Sequence, residues 1–324
     1  MKMNVRQITL VLSLVFFGTI TFGQKVEKII VSNQDPYDLY ASNDKDSTTL
    51  FYLKLVPKIK PIGVLVIMSP GGEVIENTMK QITLHKLALE KGFIVIFPSI
   101  NWGTVKFYAE NKFLDIIFKQ IVEQYGIPKD KFVLGGLSGG GMISLRYAEK
   151  GNENKDSTFV IPKAIFALDP PVDYATLYYQ CQRDVERNFA KAAVDEGKWF
   201  MQLCRTEFGG TPAEKPVEYI QYSIYSHDQK DGGNARYLIK TSILIYTEPA
   251  IAWQIKNRHR DLYDLNCTDL SAMINYLQLQ GNKNADIIET HDKGFRLDGA
   301  RHPHSWSIMD NQECLNWIMK QLNK

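Results

Sequence analysis

One short stretch of the 324-residue chain has the residue types and spacing for chemistry: Gly136-Leu137-Ser138-Gly139-Gly140. The apolar run that ends at Leu134 reads as a buried strand, and residues 144–150 read as a helix. A serine in a G-x-S-x-G turn between strand and helix is held in a strained conformation with its hydroxyl raised above the sheet edge. The positions two before and two after it must be small, because strand and helix pass close there, and both are glycine. A glycine-rich loop with an idle serine would need neither the strand before it nor the helix after it. A phosphate cradle is disfavoured further, since the turn has neither a Walker lysine nor a G-x-G-x-x-G pattern. A serine hydroxyl is a weak nucleophile at neutral pH and needs a base within hydrogen-bond reach. The chain holds six histidines, two of them in Arg301-His302-Pro303-His304-Ser305-Trp306. Pro303 keeps that segment extended, so the two rings point apart and one of them can face the serine. His291 is a third choice. His85, His227 and His259 fall on predicted surfaces or in an insertion.

These side chains need a scaffold, and the rest of the chain supplies one by alternation. Residues 28–32 and 48–55 read as opening strands. Residues 63–68, bounded by Pro61 and Pro70, and residues 93–97 are continuous apolar runs that suit strands buried on both faces. Residues 78–91, with Met79, Ile82, Leu87 and Ala88 on one face and Gly92 as a stop, read as one helix. Residues 111–125, ended by Gly126 and Pro128, read as another. Strands follow at 164–168, 242–246 and 285–289, with helices at 261–279 and 311–322. Alternation of this kind predicts an α/β architecture: a mostly parallel central sheet, helices on both faces, and ligands at the carboxyl ends of the strands. Residues 174–240 break the pattern with a polar, tyrosine-rich segment that is helical through 185–200. The strand pattern resumes afterwards, so this segment is expected to be a cap or lid inserted over the catalytic edge.

The first 23 residues read differently. Lys2 and Arg6, an apolar core at 8–17, and Thr21-Phe22-Gly23 before Gln24 make a secretory signal cut after Gly23, with an uncleaved anchor as the competing reading. The mature domain is then 24–324, exported to the periplasm or secreted, with no later stretch apolar and long enough to span a membrane. No cysteine lies at the cut, so a lipid anchor is not expected. A net charge of +2 with both signs interspersed leaves no nucleic-acid footprint. The four cysteines form no C-x-x-C pair and there is no H-E-x-x-H, so no metal site is expected. Cys181 and Cys204 flank one helical segment; they are either a disulfide permitted by export or two free buried thiols.

The elbow, the glycine turn Ser69-Pro70-Gly71-Gly72 after an earlier strand, and the order of serine, acid and histidine together resemble the α/β-hydrolase superfamily over essentially the whole mature chain. The resemblance implies Ser138 as nucleophile and His304 as base, since the family places its histidine between the last strand and the last helix; His302 is the rival. It implies Glu248, just after strand 242–246, as the acid, with Asp169 one strand earlier as the alternative, because some members take the acid from there. Asp169 could instead cap a turn. The resemblance also implies an oxyanion hole from the backbone of Gly139 and of the glycine turn. Pro70 cannot donate, so Gly72 is the expected donor, with Gly71 or Glu73 possible. The family's histidine before that turn is missing here. Trp102, Tyr174, Tyr178, Tyr179, Trp253 and Trp306 surround these positions, either as substrate wall or as packing, and Trp102 is the one expected in the wall.

The expectation is a secreted serine esterase. It would cleave a small-molecule or polysaccharide-linked acyl ester through an acyl-enzyme, without metal or organic cofactor. A serine peptidase acting on short peptides is the nearest alternative, disfavoured by the lack of a propeller-like extra domain. A binding protein on an inactive hydrolase scaffold is the alternative from another class. Neither the substrate nor the oligomeric state follows from the sequence.

Overall fold

The computed structural model describes residues 25–31, 50–100 and 104–323. The putting in order is β1 (Val26–Val31), β2 (Leu50–Leu55), β3 (Gly63–Met68), α1 (Ile75–Gln81), α2 (Leu84–Glu90), β4 (Phe93–Pro98), α3 (Tyr108–Tyr125), β5 (Phe132–Leu137) and α4 (Gly139–Glu153). The second half runs β6 (Ala164–Leu168), α5 (Tyr174–Arg187), α6 (Lys191–Phe208), α7 (Pro216–Tyr222), β7 (Ser242–Thr247), α8 (Ile251–Arg258), α9 (Asn266–Leu279), β8 (Ala285–Glu289) and α10 (Asn311–Leu322). The strands form one sheet in the order β1-β2-β4-β3-β5-β6-β7-β8. β1 and β2 pair antiparallel, β2 pairs antiparallel with β4, and every pair from β4 onward is parallel.

The apolar runs are continuous because both faces of the sheet are covered. In β3, Val64, Val66 and Met68 join a cluster with residues of α3, α4, α9 and the 174–240 insertion, whereas Leu65 and Ile67 join a second cluster with residues of α1, α2 and α10. β4 divides the same way, Ile94 and Ile96 to one side and Phe93, Val95 and Phe97 to the other. A strand between two such layers has no polar face to alternate with.

The insertion holds α5, α6 and α7, with a short 3₁₀ turn at Gly233–Leu238. The stretch 185–200, expected as one helix, is divided between α5 and α6. Asn188, in the left-handed conformation at φ 47°, ends α5, and α6 starts again at Lys191. Cys181 lies on α5 and Cys204 on α6, and both are free, buried thiols. Residues 78–91 are likewise two helices. Ile82 is extended, and the backbone N–H groups of Thr83 and Leu84 donate to Asn311 Oδ1 at 3.1 and 2.9 Å. That carboxamide, from the start of α10, caps α2 from outside the local sequence and permits the break.

Free thiols predict that alkylation of the protein in denaturant without reductant modifies all four cysteines; an intact mass showing two unmodified cysteines would establish a bridge that the fold does not contain.

Candidate active site

Ser138 sits between β5 and α4 with φ 54° and ψ −121°, a conformation that L side chains rarely adopt. Its backbone is anchored on both sides: its N–H donates to Leu168 O at 2.8 Å, and its carbonyl accepts from Met142 N at 3.0 Å. The flanking glycines are required by space. A Cβ on Gly136 would lie 2.5 Å from Met68 O, and one on Gly140 2.3 Å from the same oxygen. Strand, helix and the end of β3 thus meet backbone to backbone, and the serine alone is left part-exposed among buried neighbours.

Ser138 lines a cavity of about 970 Å³ at the carboxyl ends of the parallel strands. The turn Pro70–Glu73, Asp169, Glu248, Trp253, Arg258, His302 and His304 also face it, and α5 and α6 cover it with Leu177, Gln180, Glu196, Trp199 and Phe200. The structure therefore brings Ser138, His304 and both acid candidates to one space.

It separates the two acids by role. His304 Nδ1 donates to Asp169 Oδ2 at 2.7 Å. An ionised carboxylate is acceptor-only, so the proton sits on Nδ1 and Nε2 carries the lone pair. Asp169 is fixed in turn: Thr247 Oγ1 donates to its Oδ1 at 2.8 Å, its N–H donates to Tyr246 O at 2.7 Å, and Asn266 Nδ2 donates to its carbonyl at 2.9 Å. Its φ of 44° turns the chain sharply as it leaves β6.

Glu248, the acid expected from the sequence, points elsewhere. Its Oε2 accepts from Thr290 Oγ1 at 3.2 Å and from the N–H groups of Lys293 and Gly294 at 3.0 Å each, and its Oε1 pairs with Arg301. All these donors lie on the segment between β8 and His302. Glu248 thus folds the loop that carries the histidines and makes no bond to a histidine. The same loop is drawn together at Gly294, whose carbonyl accepts from His302 N at 2.9 Å and from Arg301 Nη1 at 2.7 Å.

His302 supports His304 without resembling a base. Arg258 Nη2 lies 3.0 Å from its Nε2, and an arginine can only donate, so Nε2 accepts and Nδ1–H donates to His304 O at 2.9 Å. Burial, with the nearby His304, Arg296 and Arg258 charges, pushes its pKa down to about 3. Its ring centroid is 6.5 Å from that of His304.

The glycine turn is also narrowed. Glu73 N–H closes the turn onto Pro70 O at 3.2 Å, so that N–H is committed within the turn, and Gly72 beside it sits at φ 79°. Glu73 braces the turn through its side chain, accepting from Trp306 Nε1 at 3.2 Å and Gln81 Nε2 at 2.6 Å. Trp306 is therefore a buried brace. Tyr174 and Tyr178 are buried packing as well, Tyr174 stacked on Phe200 with centroids 5.9 Å apart. Trp102 lies outside the described residues, as do residues 1–23.

An eight-stranded sheet with the serine elbow after β5, a carboxylate after β6 and a histidine before the last helix decides the architecture. This is the α/β-hydrolase fold. Solved structures of that fold which the chain resembles include Pyrococcus horikoshii acylaminoacyl peptidase, with a TM-score of 0.56 and 14% identity. That match covers 94% of this chain and 43% of the peptidase, so the chain spans less than half the peptidase's length. Carboxyl esterase 2 from the fungus Tuber melanosporum gives 0.55 at 14% identity, covering 96% and 88% of the two chains. An S-formylglutathione hydrolase from Agrobacterium tumefaciens gives 0.52 at 14%, covering 90% and 99%. No protein-family model and no curated protein matches the sequence. Among the described residues of this hydrolase fold, no helix is long and apolar enough to cross a membrane.

Two outcomes follow from the site's electrostatics. Unfolded, His302 titrates near the ordinary value of about 6.5, while in the fold it does so near 3. Between these values the unfolded chain binds more protons, so stability is retained above pH 6.5 and falls as the pH drops toward 3. His302→Gln should flatten that fall in urea midpoints measured from pH 6.5 to 4. Glu248→Gln strips Arg301 of its buried partner and should destabilise by on the order of 3 kcal/mol in urea unfolding, whereas an unchanged midpoint would mean that the pair does not hold the loop.

Proposed function

We propose that the protein is a serine hydrolase that cleaves carboxylic esters through an acyl-enzyme. Ser138 is the nucleophile, His304 the general base and acid, and Asp169 the carboxylate that orients the imidazole. The observation that carries this reading is the 2.7 Å hydrogen bond from His304 Nδ1 to Asp169 Oδ2, in the cavity onto which the strained Ser138 turn opens. With Nδ1 committed to Asp169, Nε2 is left to take the serine proton as the hydroxyl attacks the acyl carbon. The imidazolium formed is stabilised by the carboxylate and returns the proton to the leaving alcohol. The backbone N–H groups of Gly139, at the start of the 15-residue α4, and of Gly72 stabilise the tetrahedral oxyanion, the helix dipole adding to the first. Water then repeats the sequence on the acyl-enzyme. No step calls on a metal or an organic cofactor. Peptide cleavage by the same groups is a second reading, favoured by the likeness to acylaminoacyl peptidase over 94% of this chain. Residues 1–23 are read as an export signal, which would put the activity outside the cytoplasm; a mature protein whose mass corresponds to a start at Gln24 is the expected outcome, and an uncleaved Met1 start would overturn it.

Ser138→Ala and His304→Ala should each lower kcat on a p-nitrophenyl ester by roughly 10⁴–10⁶-fold, and the double variant should lose little more, because the groups act as one unit. Asp169→Ala should cost roughly 10⁴-fold. His302→Ala, which loosens the support of His304 without removing the base, should cost no more than roughly 10²-fold. A fluorophosphonate probe should label the wild type at Ser138. A Ser138→Ala variant that keeps most of its activity sinks the reading, and cleavage of acyl-peptides in preference to esters moves it to the peptidase.

A further inference from the structure

Six arginines, Arg146, Arg183, Arg187, Arg236, Arg260 and Arg301, each meet a carboxylate. Arg258, which lines the same cavity as Ser138 and His304, does not. It is part-buried at the end of α8, and among the described residues its guanidinium donates only to His302 Nε2, while lying 5.9 Å from the Trp253 ring centroid. Burial comes first among the causes that lower its pKa, and Arg260 and Arg296 add repulsion, while Glu196 and Asp184 draw on it from a distance. Asp184 is already committed to Arg260, and Glu196 forms no ion pair among the described residues. The carboxyl end of α8 and the Trp253 face offset part of the cost of burying this charge. The remainder is an unpaired cation with free N–H donors facing the space where substrate must lie, and burial of a charge without a partner is unfavourable.

We propose that Arg258 binds a carboxylate on the substrate, so that the site selects esters carrying an anionic group near the scissile bond. The proposal rests on the serine-hydrolase reading for the identity of that bond. The guanidinium fork matches a carboxylate through two parallel N–H donors, and the bond from Arg258 to His302 fixes the fork at a set position relative to the His304 backbone. Arg258 is thus a specificity-determining residue on the His304 side of the cavity.

Two ester pairs test this. One places the carboxylate on the leaving group, 4-acetoxybenzoate against its methyl ester. The other places it on the acyl chain, mono-4-nitrophenyl glutarate against 4-nitrophenyl methyl glutarate. The readout is the ratio of kcat/KM, anionic over neutral, compared between variants, so that intrinsic reactivity and any general damage to the site cancel. In one of the pairs Arg258→Met should lower that ratio by roughly tenfold or more, the worth of a charge-assisted hydrogen bond. Arg258→Lys should fall between, and added salt should lower the wild-type ratio. A ratio unchanged in both pairs overturns the proposal. A readout free of turnover is calorimetric titration of Ser138→Ala with the same esters: tighter binding of an anionic ester, lost on adding Arg258→Met, is expected, and equal affinities overturn it. A wild type that hydrolyses none of the esters, while Ser138→Ala still prefers the anion, sinks the hydrolase reading and leaves Arg258 as an anion site.

Discussion

The constraint on which the structure depends is the approach of β5, α4 and the end of β3 at a distance that admits no side chain. Met68 O lies where a Cβ on Gly136 or on Gly140 would have to go. With the backbones in that contact, the chain can pass from strand to helix only through a residue at positive φ, and that residue is Ser138. The same contact sets the Met68 end of β3, from which the Pro70–Glu73 turn departs. The serine and the turn beside it are therefore positioned by one packing event, and the strain stored at Ser138 is held by the sheet rather than by bonds of its own side chain.

The second half of the site shows how neighbouring strands divide labour between chemically similar groups. β6 and β7 pair in parallel and each is followed directly by a carboxylate, Asp169 and Glu248. Asp169 faces the imidazole. Glu248 faces the loop, where three N–H or O–H donors and Arg301 satisfy it. A carboxylate committed to four donors on one loop is a poor partner for a histidine three residues beyond that loop's arginine, because reorienting it would break the Arg301 pair and strip the loop of its other three bonds. His302 completes the arrangement in neutral form, its Nδ1–H donating to the carbonyl of His304 itself.

This division explains what the sequence could and could not convey. β3, β4 and β5 were legible because strands buried on both faces must be uninterrupted apolar runs, and Ser138 because the elbow demands glycine at fixed offsets. The segment from Arg301 to Trp306 marked the histidine pair for the same reason of order along the chain. Which carboxylate meets His304, Glu248 or Asp169, was not legible, since each follows a strand and is succeeded by proline; what separates them is the path of residues 290–301, which no local pattern encodes. The break at Ile82 was hidden for a related reason. Its cap, Asn311, lies 227 residues from Leu84 in sequence, and the apolar spacing on either side of Ile82 stays helical in period. The end of α5 at Asn188 was a local event, an αL residue of a type that tolerates positive φ, but a lone asparagine in a polar segment is too common to mark one.

The insertion bears on access to this site. Tyr174, Tyr178, Phe200, Phe208, Tyr219 and Tyr222 belong to the same apolar cluster as Val64 and Leu134 of the sheet. Their rings are in mutual contact, Phe208 touching Tyr174, Tyr219 and Tyr222. Each such ring buried is worth about 1.5–3 kcal/mol, so swinging the insertion away as a body would expose several at once and cost much of a domain's net stability. The opposite wall is built differently. Arg296, Leu297 and Asp298 face the cavity from a loop whose residues are exposed and which closes on itself through Arg296 N–H to Ala300 O. Displacing that loop exposes little apolar surface that is not already exposed. The cavity is thus bounded by one wall fused to the core and one resting on it, and opening it is least costly on the side of the loop that carries Arg296, Leu297 and Asp298.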